Sequence, residues 1–263
     1  MRDSCRDNLA HIFYRFQCSR AGEPAKPCAT NQSDVKEQTV ADTKHTIAVI
    51  GGTGDLGGGL ARRWAQAGHN VIIGSRTNDK AQASAEAMNE SLGLDTVTGL
   101  ENGAAAAAAD IVALTVPFSN QQPMLEAIQA GIDGKILIDA TVPLMPPKVG
   151  TVQLPEEDSA AVKAQNFVGE GVRVVAAFQN VGAAHLQTDH GIECDVLVCG
   201  NDPDSREVVI GLVEDAGLKG WHAGPLANST AAEALTSLLI HINRRYKIAG
   251  SGIRITGEPG SAE

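Results

Sequence analysis

The segment from Ile47 to Gly57 constrains this chain more than any other. Ile47 to Ile50 is a short apolar run that stops at Gly51-Gly52, which reads as a buried strand. Gly52, Gly54 and Gly57 then form G-x-G-x-x-G, and Leu56, Leu60 and Trp64 follow at helical spacing up to Gly68. A second apolar run, Val71 to Ile73, follows. Strand, glycine turn, helix and strand make the unit that binds a dinucleotide. The first glycine makes the tight turn, the second lets the backbone approach a pyrophosphate, and the third lets helix and strand pack closely. Thr53, Asp55 and Leu56 complete the loop, and the helix amides there favour negative charge.

The end of the second strand discriminates between nucleotides. An NAD site usually places a carboxylate there, to bond the ribose 2′-hydroxyl. This chain has Gly74-Ser75-Arg76 and then Lys80. A hydroxyl, a guanidinium and an ammonium suit a 2′-phosphate, which Arg76 can hold bidentately, so the expected nucleotide is NADP. Ligands in open α/β sheets bind beyond the carboxyl ends of the strands. Those ends are Leu114 to Phe118, with Val116, Pro117 and Phe118 as candidate lining, then Ala140 to Pro143, and Phe178 to Ala183. They hold no Ser-His-Asp set, lysine base or carboxylate pair. No catalytic side chain is therefore assigned, since hydride transfer between two bound cofactors needs positioning and water exclusion. His185 is the nearest candidate proton carrier, and a lone histidine there is also a reasonable structural residue.

Further elements follow in alternation. Helices are expected at Asp79–Leu92, Asn102–Ala109, from Pro117 to about Ala130, Asp158–Phe167, near Ala183, at Pro203–Ala216 and about Asn228–Lys247. Strands are expected at Ile111–Val116, Lys135–Ile138, Val172–Phe178 and Asp195–Cys199. Such alternation predicts an α/β fold with a parallel sheet, here a Rossmann-type doubly wound sheet with a small C-terminal α/β domain. The stretch Thr141 to Pro155, with Pro143, Pro146, Pro147 and Pro155, marks a boundary. The expected organisation is a leader and linker at 1–44, an NADP-binding domain at 45–150, and a part at 151–263 that completes the sheet.

Aromatic residues make up only 3% of the chain, which leaves no stacking surface for single-stranded nucleic acid. The net charge is -10, and residues 45–263 carry -11 of it. A body so acidic repels nucleic acid and anionic lipid. No apolar run is long enough to span a bilayer. Cys194 and Cys199 lie in one strand at an odd separation, hence on opposite faces, and are expected as free thiols of a cytoplasmic protein. No metal signature occurs. In residues 1–44, Asp3 and Asp7 interrupt the basic residues and no long apolar stretch follows, which argues against a secretory signal. A disordered tail is expected there. The apolar last helix points to a homodimer.

The segments Gly51-Gly52-Thr53-Gly54-x-Leu56-Gly57, Gly74-Ser75-Arg76, Ala176 to Val181, Asp195 to Gly200 and Ala223 to Ser229 together resemble the NADPH-dependent coenzyme F420 reductases. Glu233-Ala234-Leu235-Thr236 and Gly252-Ile253-Arg254 add to this. The resemblance runs from about Thr46 to Gly257. It implies NADP and the deazaflavin coenzyme F420 as the two small-molecule cofactor substrates, with reversible hydride transfer between them. It implies NADP binding at Thr53 to Leu56, Ser75, Arg76 and Lys80. Val181 and Ala183 would meet the nicotinamide through their backbone, and Thr236 would face the deazaflavin. Asp55 stands where the family often has Asn, and Gly182 where it often has Pro or Ser. Two other readings stay open at this point: an NADPH-dependent reductase of a flavin or ferric chelate, and an NADP-binding redox-sensing module without activity.

Overall fold

The computed structural model describes residues 43–257. The expected leader at 1–44 lies outside them apart from Thr43 and Lys44. Eight strands form one sheet in the order β3-β2-β1-β4-β5-β6-β7-β8: β1 (Thr46–Ile50), β2 (Asn70–Ser75), β3 (Val97–Glu101), β4 (Ile111–Leu114), β5 (Ile136–Asp139), β6 (Arg173–Ala176), β7 (Asp195–Gly200) and β8 (Lys219–His222). The helices are α1 (Asp55–Gln66), α2 (Asn78–Leu92), α3 (Asn102–Ala108), α4 (Gln121–Ile128), α5 (Ala160–Val168), α6 (Ala183–Leu186), α7 (Pro203–Asp215) and α8 (Ser229–Tyr246). The order reverses direction about β1, so the sheet is doubly wound. The cleft beside that reversal, at the strands' carboxyl ends, is where ligands bind such sheets.

Alternation along β1 builds the two cores. Ile47 and Val49 face one layer, packed with Leu60 and Trp64 of α1, Ala85 of α2 and Val209 and Leu212 of α7. Ala48 and Ile50 face the other, with Ala105 and Ala106 of α3, Leu125 of α4 and Ala161 of α5. The alanine run from 104 to 109 is thus a thin helix pressed onto the sheet. Cys194 packs in the first core and Cys199 in the second, on opposite faces as their spacing predicts. Both are free thiols.

Three features depart from the sequence pattern. Strand β7 pairs antiparallel with β6, through Val175–Gly200 and Ala176–Cys199. The link between them holds one helix, α6, of four residues, in place of the longer helix that usually makes a parallel crossover. The other two are strands without a legible period, and they are the two sheet edges. In β3, Gly99 interrupts the apolar run because α2 lies on it: a Cβ there would come within 2.2 Å of the Ala81 carbonyl carbon. In β8, Lys219 lies 4.1 Å from the Trp221 ring, a charged edge of the kind that discourages further strand pairing.

Candidate functional site

The glycine turn is shaped by close approaches. Gly51 has φ +86°, and a Cβ on it would lie 2.9 Å from the Thr115 carbonyl. A Cβ on Gly57 would lie 2.4 Å from Thr115 Oγ1, whose hydroxyl donates to the Ile50 carbonyl. These contacts seat the start of α1 against β1 and β4. Gly54 caps α1 without any side-chain hydrogen bond. The first-turn amides, which have no acceptor within the helix, are therefore left to a ligand. Leu56 turns its side chain onto the core, so only its backbone faces that way. These observations fit a pyrophosphate.

A cavity of about 340 Å³ opens beside this turn, lined among others by Thr53, Ser75, Arg76, Lys80, Asn102 and Val116. Strand β2 delivers Ser75, which is buried, while Arg76 and Lys80 on the run into α2 are exposed. Neither cation pairs with a carboxylate among the described residues. Asn102, nearly fully buried, donates to Met124 Sδ, and its Oδ1 has no partner. The residues expected to read a 2′-phosphate thus share one cavity with the phosphate loop. Val116 lines it too. Pro117 and Phe118 do not: they begin a 3₁₀ turn leading to α4, and Lys163 of α5 lies 5.9 Å from the Phe118 ring.

After β6 the chain makes a turn that forms a wall at the same edge of the sheet. Phe178 has φ +73°, an uncommon conformation for a bulky residue. Its ring is buried edge-on to Trp64, 5.9 Å away. The turn is held by side chains reaching backbone. Gln179 Nε2 donates to the Asp139 carbonyl at 2.8 Å. Asn180 Nδ2 donates to the Ala232 carbonyl at 2.8 Å and to Thr236 Oγ1 at 3.2 Å. The Thr236 hydroxyl donates to the Gln179 carbonyl at 2.8 Å. Thr236 is therefore brought beside the wall, with its hydroxyl engaged there. Val181 N donates to the Phe178 carbonyl at 3.3 Å, closing the turn before Gly182 and Ala183. His185 Nε2 lies 3.0 Å from the Gly250 carbonyl; an acceptor at that nitrogen puts the proton there, so the ring holds the C-terminal segment. A second cavity of about 340 Å³ adjoins Gly182, His185, Cys194 and Gly250.

Residues 46–143 match the family model described as NADP oxidoreductase, coenzyme F420-dependent. The chain is 44% identical over 221 residues to the F420-dependent NADP reductase of Methanothermobacter thermautotrophicus, covering 81% of this chain and 95% of that one. It is 40% identical over 219 residues to the F420-dependent NADP reductase of Methanocaldococcus jannaschii, covering 80% and 97%. The chain belongs to the F420-dependent NADP reductase family. A crystal structure from Arthrobacter sp. FB24, provisionally assigned as an F420-dependent NADP reductase, agrees with a TM-score of 0.68 at 26% identity, covering 81% of this chain and 100% of that chain.

Behind the wall, this reductase carries two buried carboxyl groups that sequence reasoning missed. Asp139, at the end of β5, accepts from Gln121 Nε2 at 2.6 Å and from the Thr141 amide at 2.8 Å. Burial raises its pKa despite those bonds. Glu233 of α8 caps α5, accepting from the Ala160 and Ala161 amides at 2.7 and 3.1 Å. Burial pushes its pKa up to about 7, against the pull of these amides and with a further push from Asp139. Gln121 Nε2 also donates to the Ala160 carbonyl, linking the two groups. A lone Glu between alanines on an apolar helix was the available signal for Glu233. Asp139, which ends a strand of Ile and Leu, offered none. Among the described residues no cluster of His, Cys, Asp or Glu could hold a metal ion, and no helix is long and apolar enough to cross a membrane.

Proposed function

We propose that the chain catalyses reversible hydride transfer between NADPH and coenzyme F420, with the nucleotide read by Ser75, Arg76 and Lys80. The observation that carries this reading is the cavity shared by the phosphate loop and two cations that have no carboxylate partner among the described residues, in a chain of the F420-dependent NADP reductase family. Backbone amides at Thr53, Asp55, Leu56 and Gly57 take the pyrophosphate, as the capless α1 start supports, while the Gly52 and Gly54 amides donate to the Val49 and Gly51 carbonyls and shape the turn. Val116 lines the nucleotide side. Pro117 and Phe118, outside the lining of that cavity, follow Val116 at the carboxyl end of β4 and are proposed to flank the bound cofactors there. Nicotinamide and deazaflavin supply the hydride donor and acceptor chemistry when bound. The protein contributes orientation and water exclusion, through the Val181 to Ala183 backbone and through Thr236 behind it. Residues 45–150 then serve the nucleotide, and residues 151–263 complete the sheet and form the deazaflavin site.

Mixing the protein with NADPH and purified coenzyme F420 and following the deazaflavin absorbance tests this reading. The expected trace is a loss of absorbance with NADPH and a much slower one with NADH. A flat trace with NADPH overturns it. Leu238, Ile242 and Tyr246 recur every four residues along α8 and are 47%, 37% and 70% exposed. This face supports a homodimer, which sedimentation of the wild type and of Ile242→Lys checks: a dimer that becomes a monomer is expected. The acidic body supports an enzyme that does not bind nucleic acid, and the free thiols of Cys194 and Cys199 support a cytoplasmic one.

A further inference from the structure

The glycine turn contains more glycine than its motif needs. Gly58 and Gly59 follow Gly57 inside α1, where each weakens the helix relative to alanine. Gly59 has a packing reason: a Cβ on it would lie 2.5 Å from the Leu186 Cβ. Helix α6 thus lies directly on α1, with Leu186 fully buried between them. Fastening continues along the whole of α1. At its start, Gln187 Nε2 donates to the Asp55 carbonyl at 2.7 Å. Further on, Arg63 gathers four carbonyls: Nε donates to Leu186 at 3.4 Å, and Nη2 contacts His185 at 3.4 Å, Thr188, and His190 at 2.9 Å. Near the end, Arg62 pairs with Asp189 at 2.9 Å and Gln66 donates to the same oxygen at 3.0 Å. These two bonds hold the exposed Asp189 carboxyl below its ordinary pKa.

We infer that Arg63 is a positioning residue for hydride transfer, acting through residues 183–190. This rests on the proposed function. The start of α1 faces the pyrophosphate, and the turn just before Ala183 faces the nicotinamide. Strapping 183–190 along α1 fixes the distance and angle between those two surfaces. A guanidinium, with donors spread over a rigid planar fork, can span the Leu186, Thr188 and His190 carbonyls together, where a lysine offers its donors from a single nitrogen. Arg63 is on the third turn of α1 and lines neither the nucleotide cavity nor the cavity beside Gly182. Its loss should misalign the reacting carbon while leaving the adenosine end in place.

The test is Arg63→Met, which keeps the apolar stem. In nucleotide-free protein, hydrogen exchange across 183–190 should quicken, with the strands unchanged. The turnover number should fall at least about tenfold, since small misplacements near the chemistry cost that much or more. The Michaelis constant for NADPH and the affinity for adenosine 2′,5′-bisphosphate should stay within about threefold, because the phosphate ligands are untouched. Arg63→Lys should recover little of the rate. Unchanged exchange or unchanged turnover overturns the inference. So does an equal loss of bisphosphate affinity, which would make Arg63 a support of the phosphate helix alone. If Arg63→Met fails to fold, the double variant Gln187→Ala, Asp189→Asn alters exposed residues of the same strap and is read the same way. Wild-type turnover of coenzyme F420 tests the functional reading separately, and the exchange measurement stands without it.

Discussion

The two halves of the cofactor cleft are built by opposite means. The proposed phosphate half is local: Gly51 to Gly57 and Gly74 to Lys80 make it from two short stretches, with backbone amides and exposed cations. The nicotinamide half is assembled at long range. Its turn at Phe178 is held by Asp139, 40 residues away, and by Ala232, 52 residues away. Its return leg is bonded to Asp55, 132 residues away. A local site survives as a motif as long as its own few residues remain. A long-range wall depends on the sheet, α1 and α8 being correctly joined. Binding and chemistry should therefore respond to different substitutions.

The sharpest way to break that separation is Gly57→Ala. Its Cβ would meet backbone and Thr115 at once, which should cost about 1–3 kcal/mol of stability through overpacking and abolish measurable NADPH binding in calorimetry. An alanine that binds normally would show that the turn is looser than its contacts imply.

Glu233 tests the wall from behind. Its folded pKa is raised from 4.5 to about 7. Below pH 4.5 both folded and unfolded states hold the proton. Between these values the unfolded chain releases it and the folded chain keeps it, so stability falls as pH rises through that window and levels off above it. The full shift corresponds to up to about 3 kcal/mol. Denaturant titrations from pH 4.5 to 8 should show this decline in the wild type and a shallower one in Glu233→Gln. Asp139, raised in the same direction by burial, contributes with the same sign. An identical slope in the variant would remove Glu233 from the account.

Arg76→Ala addresses the phosphate half alone. It should weaken NADPH by about 1.5–3 kcal/mol, the scale of a charge-assisted hydrogen bond, and leave NADH nearly unchanged in parallel titrations. An equal loss for both nucleotides would mean that Arg76 does not read the 2′-phosphate. The smallest expected effect is that of Thr236→Val, which removes the hydroxyl shared by Gln179 and Asn180. About 1 kcal/mol of stability should go with it. Steady-state kinetics should show a lower turnover number at an unchanged Michaelis constant for NADPH. A raised constant would tie Thr236 to nucleotide binding and blur the contrast between the halves.

The same contrast explains what could be read from the chain. The strand, turn and helix around Gly52, the cations at Arg76 and Lys80, and the internal strands were legible because they depend on neighbours in sequence. Edge strands β3 and β8 were not, since Gly99 is set by the approach of α2 and Lys219 by an edge exposed to water. The antiparallel joint at β7 was hidden because period alone carries no strand direction. The roles of Glu233 and Arg63 were hidden for a similar reason: each works on backbone groups far along the chain, and no window of sequence contains both partners; Glu233 was marked only by its place between alanines, and Asp139, ending a strand of Ile and Leu, by nothing. Resemblance to the family reached Thr236 but not the bonds that occupy its hydroxyl.

Trp64 lies where all of these parts meet. It belongs to α1, its ring meets Phe178 of the wall, and its Nε1 donates to the Leu212 carbonyl of α7 at 2.8 Å. The chain has only one other tryptophan, Trp221, half-buried on β8 and bonded to Asp195. Replacing Trp221 with Phe leaves a single tryptophan, fully enclosed, between α1 and the wall. Its emission should be blue and poorly quenched by iodide. Any event that shifts the wall against α1 then becomes visible as light, without a label and without turnover.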